Sequence, residues 1–267
     1  MSSTYSPAAA DTSKTPKLVP PDAVRVWRGF RLPDLNVAQF YSKLGTVFVP
    51  ATVLMQIDAG LHSYTPTVPA GLPGKPDTVP DETAILFWES QSTYWNGFTR
   101  LAVRTYTLTH NGVYVTQNNQ SRADFPVQFA GKLTPDQPVY LFDKPADWMH
   151  GAITHFVAAR PASMDSPAFF TSVAKVLENI RKTTMLDGAI ACVGNDYLVY
   201  WELGPVAPGA KQSPTGVPLL QAALTDWNQT FTAAPTFLPI DLWDEWSGMD
   251  VRAGSSFNMQ FKRQVEA

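Results

Sequence analysis

The sequence predicts an α+β fold made of two tandem ferredoxin-like units, each with the element order βαββαβ. Three observations support this prediction. Short apolar runs typical of strands alternate with amphipathic segments typical of helices. The order of these elements is nearly the same in residues 23–150 and in residues 151–267. An apolar run also ends in a Trp-Glu step in each half, as LFWE in the first and VYWE in the second.

The second half shows the order more clearly than the first. Apolar residues recur at helical spacing in two segments, and two apolar runs flank a Gly-Asn pair that is typical of a hairpin. The predicted elements are a strand at 152–160, a helix at 166–184 capped by Ser166, the two hairpin strands around Gly194, a helix at 217–231 and a closing strand at 255–263.

The first half repeats this order, but its last strand is ambiguous. The closing strand is assigned either to PVQFAG at 126–131 or to PVYLFD at 138–143. The other predicted elements are a strand at 24–32, a helix at 34–49 that Pro50 ends or kinks, an extended segment at 60–69, a strand at 83–89 and a helix at 90–112 capped by Ser90.

Composition limits the classes of partner. The chain has 267 residues, of which 45% are hydrophobic, enough for one large or two small cores. Charged residues make up only 16%, and the net charge of −3 favours neither nucleic acid nor an anionic membrane as a partner. No segment has the roughly 18 to 20 consecutive apolar residues of a membrane-spanning helix. We therefore expect a cytoplasmic monomer or homodimer that binds a small molecule.

Residues 1–22 are rich in Ser, Thr, Ala and Pro, which predicts a flexible N-terminal arm. They contain no apolar core of the kind that a secretory signal needs. The single cysteine, Cys192, lies in the apolar run AIACV and is predicted to be a buried structural side chain. The chain also has no glycine-rich nucleotide-binding fingerprint.

The segment LFWESQSTYWNGFTRLAVRTYTLTHNGVY, at 86–114, resembles the second βα unit of the dimeric α/β-barrel superfamily. In that family a strand ends in an aromatic and a polar residue, and the next helix carries an aromatic near its start. The positions that carry the resemblance are Trp88, Glu89, Ser90, Tyr94, Arg104, Tyr106 and His110. Two such units in one chain would form a fused, pseudo-dimeric barrel.

The resemblance implies several chemistries rather than one. Members of the superfamily include cofactor-free monooxygenases, muconolactone-type isomerases, polyketide cyclases, and haem enzymes related to chlorite dismutase and aldoxime dehydratase. The resemblance thus leaves two expectations for cofactors. Either none is needed, or haem binds with His155 or His110 as its axial ligand.

Histidines are the first candidates for catalysis, because an unperturbed imidazole titrates near neutral pH. His62 and Tyr64 alternate along a predicted strand, which places both on one side, where they could move a proton or stabilise an oxyanion. His110 follows Tyr106 by four residues, which places the two on one helix face near Arg104. Each histidine also has a structural interpretation, as a half-exposed strand residue or a helix-end residue.

The remaining candidate site residues are identified by their positions in the predicted strands and helices. Glu89 ends a strand, where a carboxylate is either a general base with a raised pKa or a partner for an arginine or a backbone amide. Because the Trp-Glu step occurs twice, the structural interpretation gains weight for this residue. Trp88, Tyr94 and Tyr106 are predicted to form walls that bind substrate, and Arg104 to bind a carboxylate or enolate.

These observations predict an enzyme that acts on an apolar organic molecule by proton transfer, as an isomerase, a dehydratase or other lyase, or a cofactor-free monooxygenase. Two alternatives remain at this stage. One is a haem-dependent enzyme of the same fold, and the other is a non-catalytic module for small-molecule binding or assembly.

Overall fold

The computed structural model describes residues 8–9, 17–204, 215–233, 235–239 and 248–262. In this part of the chain, two β-sheets pack face to face and helices cover their outer faces. The predicted α+β class is confirmed. No helix within the described ranges has the length and apolar character to cross a membrane.

Thirteen strands are present in the described residues. They are β1 (Ala8–Ala9), β2 (Val24–Gly29), β3 (Leu61–Thr67), β4 (Glu82–Trp88), β5 (Arg122–Asp124), β6 (Val127–Gln128), β7 (Val139–Tyr140), β8 (Ile153–Ala159), β9 (Gly188–Val193), β10 (Tyr197–Leu203), β11 (Asn228–Ala233), β12 (Pro235–Pro239) and β13 (Asn258–Lys262).

Six α-helices connect these strands in the same described part of the chain. They are α1 (Val37–Lys43), α2 (Val49–Gln56), α3 (Gln91–Gly97), α4 (Leu101–Thr109), α5 (Ser166–Thr183) and α6 (Val217–Ala223). A π-helical turn, Leu44–Phe48, joins α1 to α2, so Pro50 falls in the first turn of α2 and does not end the helical segment. Ser90 caps α3 by accepting a hydrogen bond from the Thr93 amide, as predicted.

The strand orders of the two sheets share one pattern. The first sheet runs β1-β12-β13-β3-β4-β2-β5, and the second runs β11-β8-β10-β9-β7-β6. In each sheet, the four strands that belong to one βαββαβ segment pair antiparallel in the order fourth-first-third-second. The helices of each segment lie on the outer face of its own sheet.

The two sheets bury their facing surfaces in one apolar core. Alternation along the strands produces this core, because every second side chain points to the same face. On β2, Val24 and Val26 face the other sheet, whereas Trp27 faces the helices. On β10, Val199 and Trp201 lie in the same core.

Several edge strands join the sheet that is built mainly from the other half of the sequence. β6 and β7, at 127–128 and 139–140, extend the second sheet beside β9, so neither predicted candidate closes the first unit. The closing strand is instead β5, which pairs with β2. β13 pairs with β3 in the first sheet and does not close the second unit. Hydrogen bonds to exposed sheet edges, rather than sequence proximity, decide these positions.

The helix predicted at 217–231 is wrong over its second part. The helix α6 ends at Ala223, and β11 follows and pairs with β8 as the closing strand of the second unit. The physical reason is the segment NQTFT, whose β-branched and aromatic residues suit a strand. The predicted helix at 90–112 is likewise split after Gly97 into α3 and α4.

Only a part of the predicted N-terminal arm can be assessed. Ala8 and Ala9 pair with β12 at the edge of the first sheet, and Val19 bridges to Ala146. The rest of the arm, 1–7 and 10–16, lies outside the described residues.

The two Trp-Glu steps occupy different environments, which corrects their alignment. Trp88 faces the helices, whereas Trp201 faces the opposite sheet. Glu89 is exposed, whereas Glu202 is buried and accepts hydrogen bonds from the Tyr200 hydroxyl and a backbone amide. The steps are out of phase by one strand position, since alternation reverses the face at each residue.

Candidate functional site

A cavity of about 380 Å³ lies between the first sheet and the helices that cover it. Its size falls within the range of small-molecule sites. Most of its wall is aromatic or aliphatic, from Trp27, Phe48, Leu86, Trp88, Tyr94, Phe98 and Tyr106. Polar groups complete this wall, including Arg25, Gln56, Tyr64, His110, Asn111 and Arg122.

Strand alternation and helix periodicity bring these side chains together. On β2, Arg25 and Trp27 point to the cavity because Val24 and Val26 point to the other sheet. Tyr106 and His110 lie four residues apart at the end of α4 and meet with ring centroids 4.9 Å apart.

His110 is a neutral imidazole in an aromatic enclosure. Its ring lies edge-to-face against Trp27 and Phe48, with centroid distances of 5.0 and 4.9 Å. Burial lowers the pKa of His110 to about 4. Nδ1 lies 3.1 Å from the carbonyl oxygen of Thr107. A carbonyl only accepts, so Nδ1 carries the hydrogen and Nε2 keeps its lone pair.

A buried carboxyl group lies beneath the cavity wall. Glu82 is fully buried and accepts hydrogen bonds from the Trp27 indole at 2.9 Å, from the Tyr64 hydroxyl at 2.5 Å and from the Tyr114 hydroxyl. Burial raises the pKa of Glu82, and the three donors oppose that rise by stabilising the carboxylate. Tyr64 links this group to the cavity, since its ring forms part of the wall.

A second hydrogen-bonded group, formed by Thr52 and Tyr106, lies close to the Glu82 network. The hydroxyl of Thr52 donates to the carbonyl oxygen of Phe48 at 2.9 Å, and the hydroxyls of Thr52 and Tyr106 are 2.7 Å apart. Burial raises the pKa of Tyr106 beyond its ordinary value. Tyr106 therefore stays protonated, and its hydroxyl donates to Thr52.

Arg25 is held in the wall by uncharged partners. Its Nη2 donates to the carbonyl oxygen of Ala123 at 2.7 Å, and its Cζ lies 4.1 Å from the centre of the Tyr94 ring and 5.4 Å from that of Phe125. Its Nε is buried and has no hydrogen-bond partner among the described residues. Burial lowers the pKa of Arg25, yet an arginine remains charged at neutral pH.

The structure places five predicted site residues around the cavity. They are Tyr64, Trp88, Tyr94, Tyr106 and His110. The common side of Tyr106 and His110 on one helix is confirmed. Trp88 and Tyr94 form a wall with ring centroids 4.9 Å apart.

His62 lies outside the cavity, whereas Tyr64 lies in its wall, so the structure does not bring the two residues together in one site. The pairing of β3 with β4 shifts between Leu61 and Ser63, which marks a β-bulge at His62. A bulge inserts an extra residue and reverses the alternation beyond it. His62 instead meets Lys17, with Nζ 2.8 Å from Nδ1, and burial, followed by the nearby charge of Lys17, lowers its pKa to about 4.

Arg104 and Glu89 are likewise not in the cavity wall. Arg104 is exposed on α4, and its Nε donates to the carbonyl oxygen of Phe98. Its spacing of six residues from His110 turns it to another side of the helix. Glu89 is exposed at the end of β4, one position beyond Trp88.

His155 does not fit the role of a haem ligand. It lies between the sheets, stacked on Trp201 at 4.3 Å, and both ring nitrogens are engaged. Nδ1 donates to the Tyr200 carbonyl oxygen at 2.8 Å, and Nε2 accepts from the Thr83 hydroxyl at 2.7 Å. An axial ligand needs one free nitrogen. Within the described ranges, no three or more His, Cys, Asp or Glu side chains cluster as metal ligands.

The sequence interpretation missed Arg25, Gln56 and Glu82. Arg25 and Glu82 are charged residues near the ends of otherwise apolar strand segments, VRVW and ETAILF, and this contrast was the available signal. Gln56 ends α2, beyond the proline that was expected to end or kink the helix.

Comparisons with known proteins find only weak structural similarity. No family model matches the chain, and no curated protein matches it. Similar solved structures include a "putative monooxygenase" from Lactobacillus acidophilus NCFM, with 6% identity, 78% of this chain and 91% of that chain covered, and a TM-score of 0.34. An anthrone oxidase-like protein shows 10% identity, 81% and 93% coverage, and a TM-score of 0.35. Likeness at this level does not assign the chain to a family.

Proposed function

We propose that the protein is a small-molecule enzyme that acts on a mostly apolar organic substrate by proton transfer in the cavity beside the first sheet. The observation that carries this proposal is a neutral His110 in an aromatic cavity that also borders the buried Glu82 network. Isomerisation, dehydration or another lyase reaction, and cofactor-free oxygenation all begin with such a proton transfer.

In this mechanism, His110 accepts the proton through Nε2. The hydrogen bond from Nδ1 to the Thr107 carbonyl sets the tautomer and the orientation of the ring. A pKa of about 4 makes the free imidazole a weak base. The negative charge that develops on the substrate stabilises the imidazolium at close range, so the transfer becomes favourable only when a substrate is bound.

The Glu82 network orients two residues of the cavity wall. The wall residues Trp27 and Tyr64 both donate to Glu82, which fixes the positions of their rings. A rigid wall of this kind holds a substrate in one geometry and so favours reaction.

We further propose that the chain is a pair of fused ferredoxin-like units that resemble a pseudo-dimeric α/β barrel. The support is the shared fourth-first-third-second strand order in both sheets and the apolar core between their facing surfaces. A cytoplasmic location and a monomeric or homodimeric state belong to the same proposal, and cell fractionation and light scattering test them.

Proton abstraction is testable before the natural substrate is known. We expect the protein to catalyse exchange of the acidic C1 hydrogens of 2-tetralone with deuterium in D₂O, as followed by proton NMR. His110→Gln should slow the catalysed exchange by roughly 100-fold, in line with the usual contribution of a general base. His62→Gln is the matched control, since His62 lies outside the cavity and should leave exchange unchanged. Equal exchange by the wild type and His110→Gln would contradict the proposal.

The alternatives give different readouts. Oxygen uptake with a reactive ketone or phenol distinguishes an oxygenase from an isomerase or lyase. A Soret band after haem supplementation would support a haem enzyme with His110 as the axial ligand, since both nitrogens of His155 are engaged. Ligand binding without proton exchange or oxygen uptake would support a non-catalytic binding module.

A further inference from the structure

The charge balance around Arg25 is unusual for a buried wall. Among the described residues no carboxylate lies within ion-pair distance of its guanidinium. The nearby acidic group is Asp124, and two other arginines already hold it. Arg28 contacts Asp124 at 2.8 Å, and Arg122 contacts it at 2.7 Å. Asp124 is thus paired with Arg28 and Arg122, and Arg25 is left without an ion-pair partner among the described residues.

No acidic side chain in the described cavity wall neutralises the charge of Arg25. The wall residues include two arginines, Arg25 and Arg122, and neither Asp nor Glu is present among those that the structure describes there. The buried carboxyl of Glu82 is occupied by three donors beneath the wall. Because Arg122 is paired with Asp124, Arg25 is the arginine of this aromatic wall that has no ion-pair partner among the described residues.

The contacts of Arg25 orient its charge but do not neutralise it. The Ala123 carbonyl and the faces of Tyr94 and Phe125 fix the guanidinium plane. Arg25 is partly buried, and its Nε is buried without a hydrogen-bond partner among the described residues. A partly desolvated cation without an anionic partner is costly, and a bound anion reduces that cost. A carboxylate suits a guanidinium in particular, because two parallel N–H···O bonds form.

We propose that the cavity binds a planar aromatic anion, with a carboxylate or phenolate oxygen on Arg25 and the ring system against Tyr94 and Trp88. This inference rests on the proposed function for its site and adds the class of substrate. Arg25 thereby takes the anion-binding role that the sequence favoured for Arg104.

Isothermal titration calorimetry with a matched pair of probes tests the ligand class. We use 2-naphthoate and the neutral 2-naphthamide, which have nearly the same shape. The wild type should bind 2-naphthoate at least roughly tenfold more tightly than 2-naphthamide at low ionic strength. Arg25→Met should remove this preference, and Arg25→Lys should keep part of it. Arg104→Met is the matched control, since it removes an exposed guanidinium outside the cavity, and should retain the preference.

Several outcomes would overturn the inference. They are equal binding of the two probes by the wild type, no binding of 2-naphthoate at millimolar concentration, or an unchanged preference in Arg25→Met. If Arg25→Met does not fold, as judged by circular dichroism, a fully retained preference in Arg25→Lys would decide against the inference equally.

The same experiment separates this inference from the proposed function. Binding of 2-naphthoate through Arg25 without proton exchange on any probe would keep the ligand class and reject the enzyme. Proton exchange on 2-tetralone that needs His110, together with equal binding of both naphthalene probes, would keep the enzyme and reject the ligand class.

Discussion

Three histidines are held in environments that favour the neutral ring. Burial lowers the pKa of His62 and of His110 to about 4, and that of His155 to about 3. His155 illustrates the cause, because its ring lies between stacked Trp201 and Phe231 with its two nitrogens used by Tyr200 and Thr83. A protonated ring would have no anion beside it, and its Nε2 could no longer accept the hydrogen bond from Thr83.

This arrangement predicts that acid destabilises the protein. The unfolded chain binds a proton on each histidine near pH 6.5, whereas the folded protein binds it only near pH 3 to 4. The free energy of unfolding should therefore fall as the pH drops below about 6.5. For fully buried His155, the slope reaches about 1.4 kcal/mol per pH unit. His155→Gln should show a shallower fall in urea titrations between pH 6 and about 4, and an unchanged slope would contradict the account.

Glu82 supports a second prediction about single residues. A glutamine at this position presents an amide NH₂ to three donors, so at least one donor of Trp27, Tyr64 or Tyr114 loses its acceptor. Glu82→Gln should lower the free energy of unfolding by about 1–3 kcal/mol in urea denaturation. A double-mutant cycle with Tyr64→Phe provides the control. A coupling energy near zero would show that the hydrogen bond between the two side chains does not stabilise the fold.

The sequence predicts site residues correctly where the local geometry of the chain determines which side chains lie on one face. Tyr106 and His110 were paired correctly because four residues on a helix always share a face. His62 and Tyr64 do not line one cavity, and the bulge that interrupts simple alternation at His62 depends on how β4 pairs with β3. Arg25 and Glu82 were missed because their partners, Ala123 and Tyr114 among them, are distant in the chain.

Helix α5 provides a prediction at the level of an element. The sequence favoured Ser166 as its cap, but the carboxylate of Asp165 accepts the hydrogen bond from the Ala168 amide at 2.8 Å. Asp165→Ala should lower the free energy of unfolding by about 1 kcal/mol, the usual cost of losing an N-cap. Ser166→Ala is the matched control and should change it by only a few tenths, within about 0.5 kcal/mol. The reverse order in thermal or urea unfolding would show that Ser166 caps the helix.

Long amphipathic helices and apolar strands were predictable from the sequence, but edge strands were not. Periodicity over many residues identified α5, whose Phe169, Val173, Leu177 and Ile180 are buried as one face. The short strands β5, β6 and β7 have two or three residues each, too few for a period to appear. Pairing with a distant strand creates these elements, so no local pattern could indicate them.

At the scale of the whole molecule, β13 holds the two halves together. It comes from the C-terminal end of the chain but pairs with β3, and its Met259 is fully buried in the core around the cavity. The side chain of Asn258 is also buried; its amide donates to the carbonyl oxygens of Trp148 and Gly151, at the junction of the halves. The boundary near residue 150 that the sequence predicts is therefore crossed by strand pairing.

A truncation tests the importance of this crossing. A chain that ends at residue 257 loses β13, exposes the edge of β3 and removes Met259 from the core. We expect the free energy of unfolding to drop by at least about 2 kcal/mol and aggregation to increase. A chain that ends at residue 262 keeps β13 and is the matched control. Equal thermal stability of the two shortened chains would contradict a structural role for this strand.

The outer faces of the two sheets are packed differently, and this difference predicts how many ligand molecules one chain binds. Beside the second sheet, side chains of α5 and α6 such as Phe169, Leu177 and Leu220 fill the space against β8, β9 and β10. Beside the first sheet, the corresponding space is the cavity. The proposed binding site thus lies beside the first sheet, and we expect saturation at one ligand molecule per chain with a simple hyperbolic isotherm.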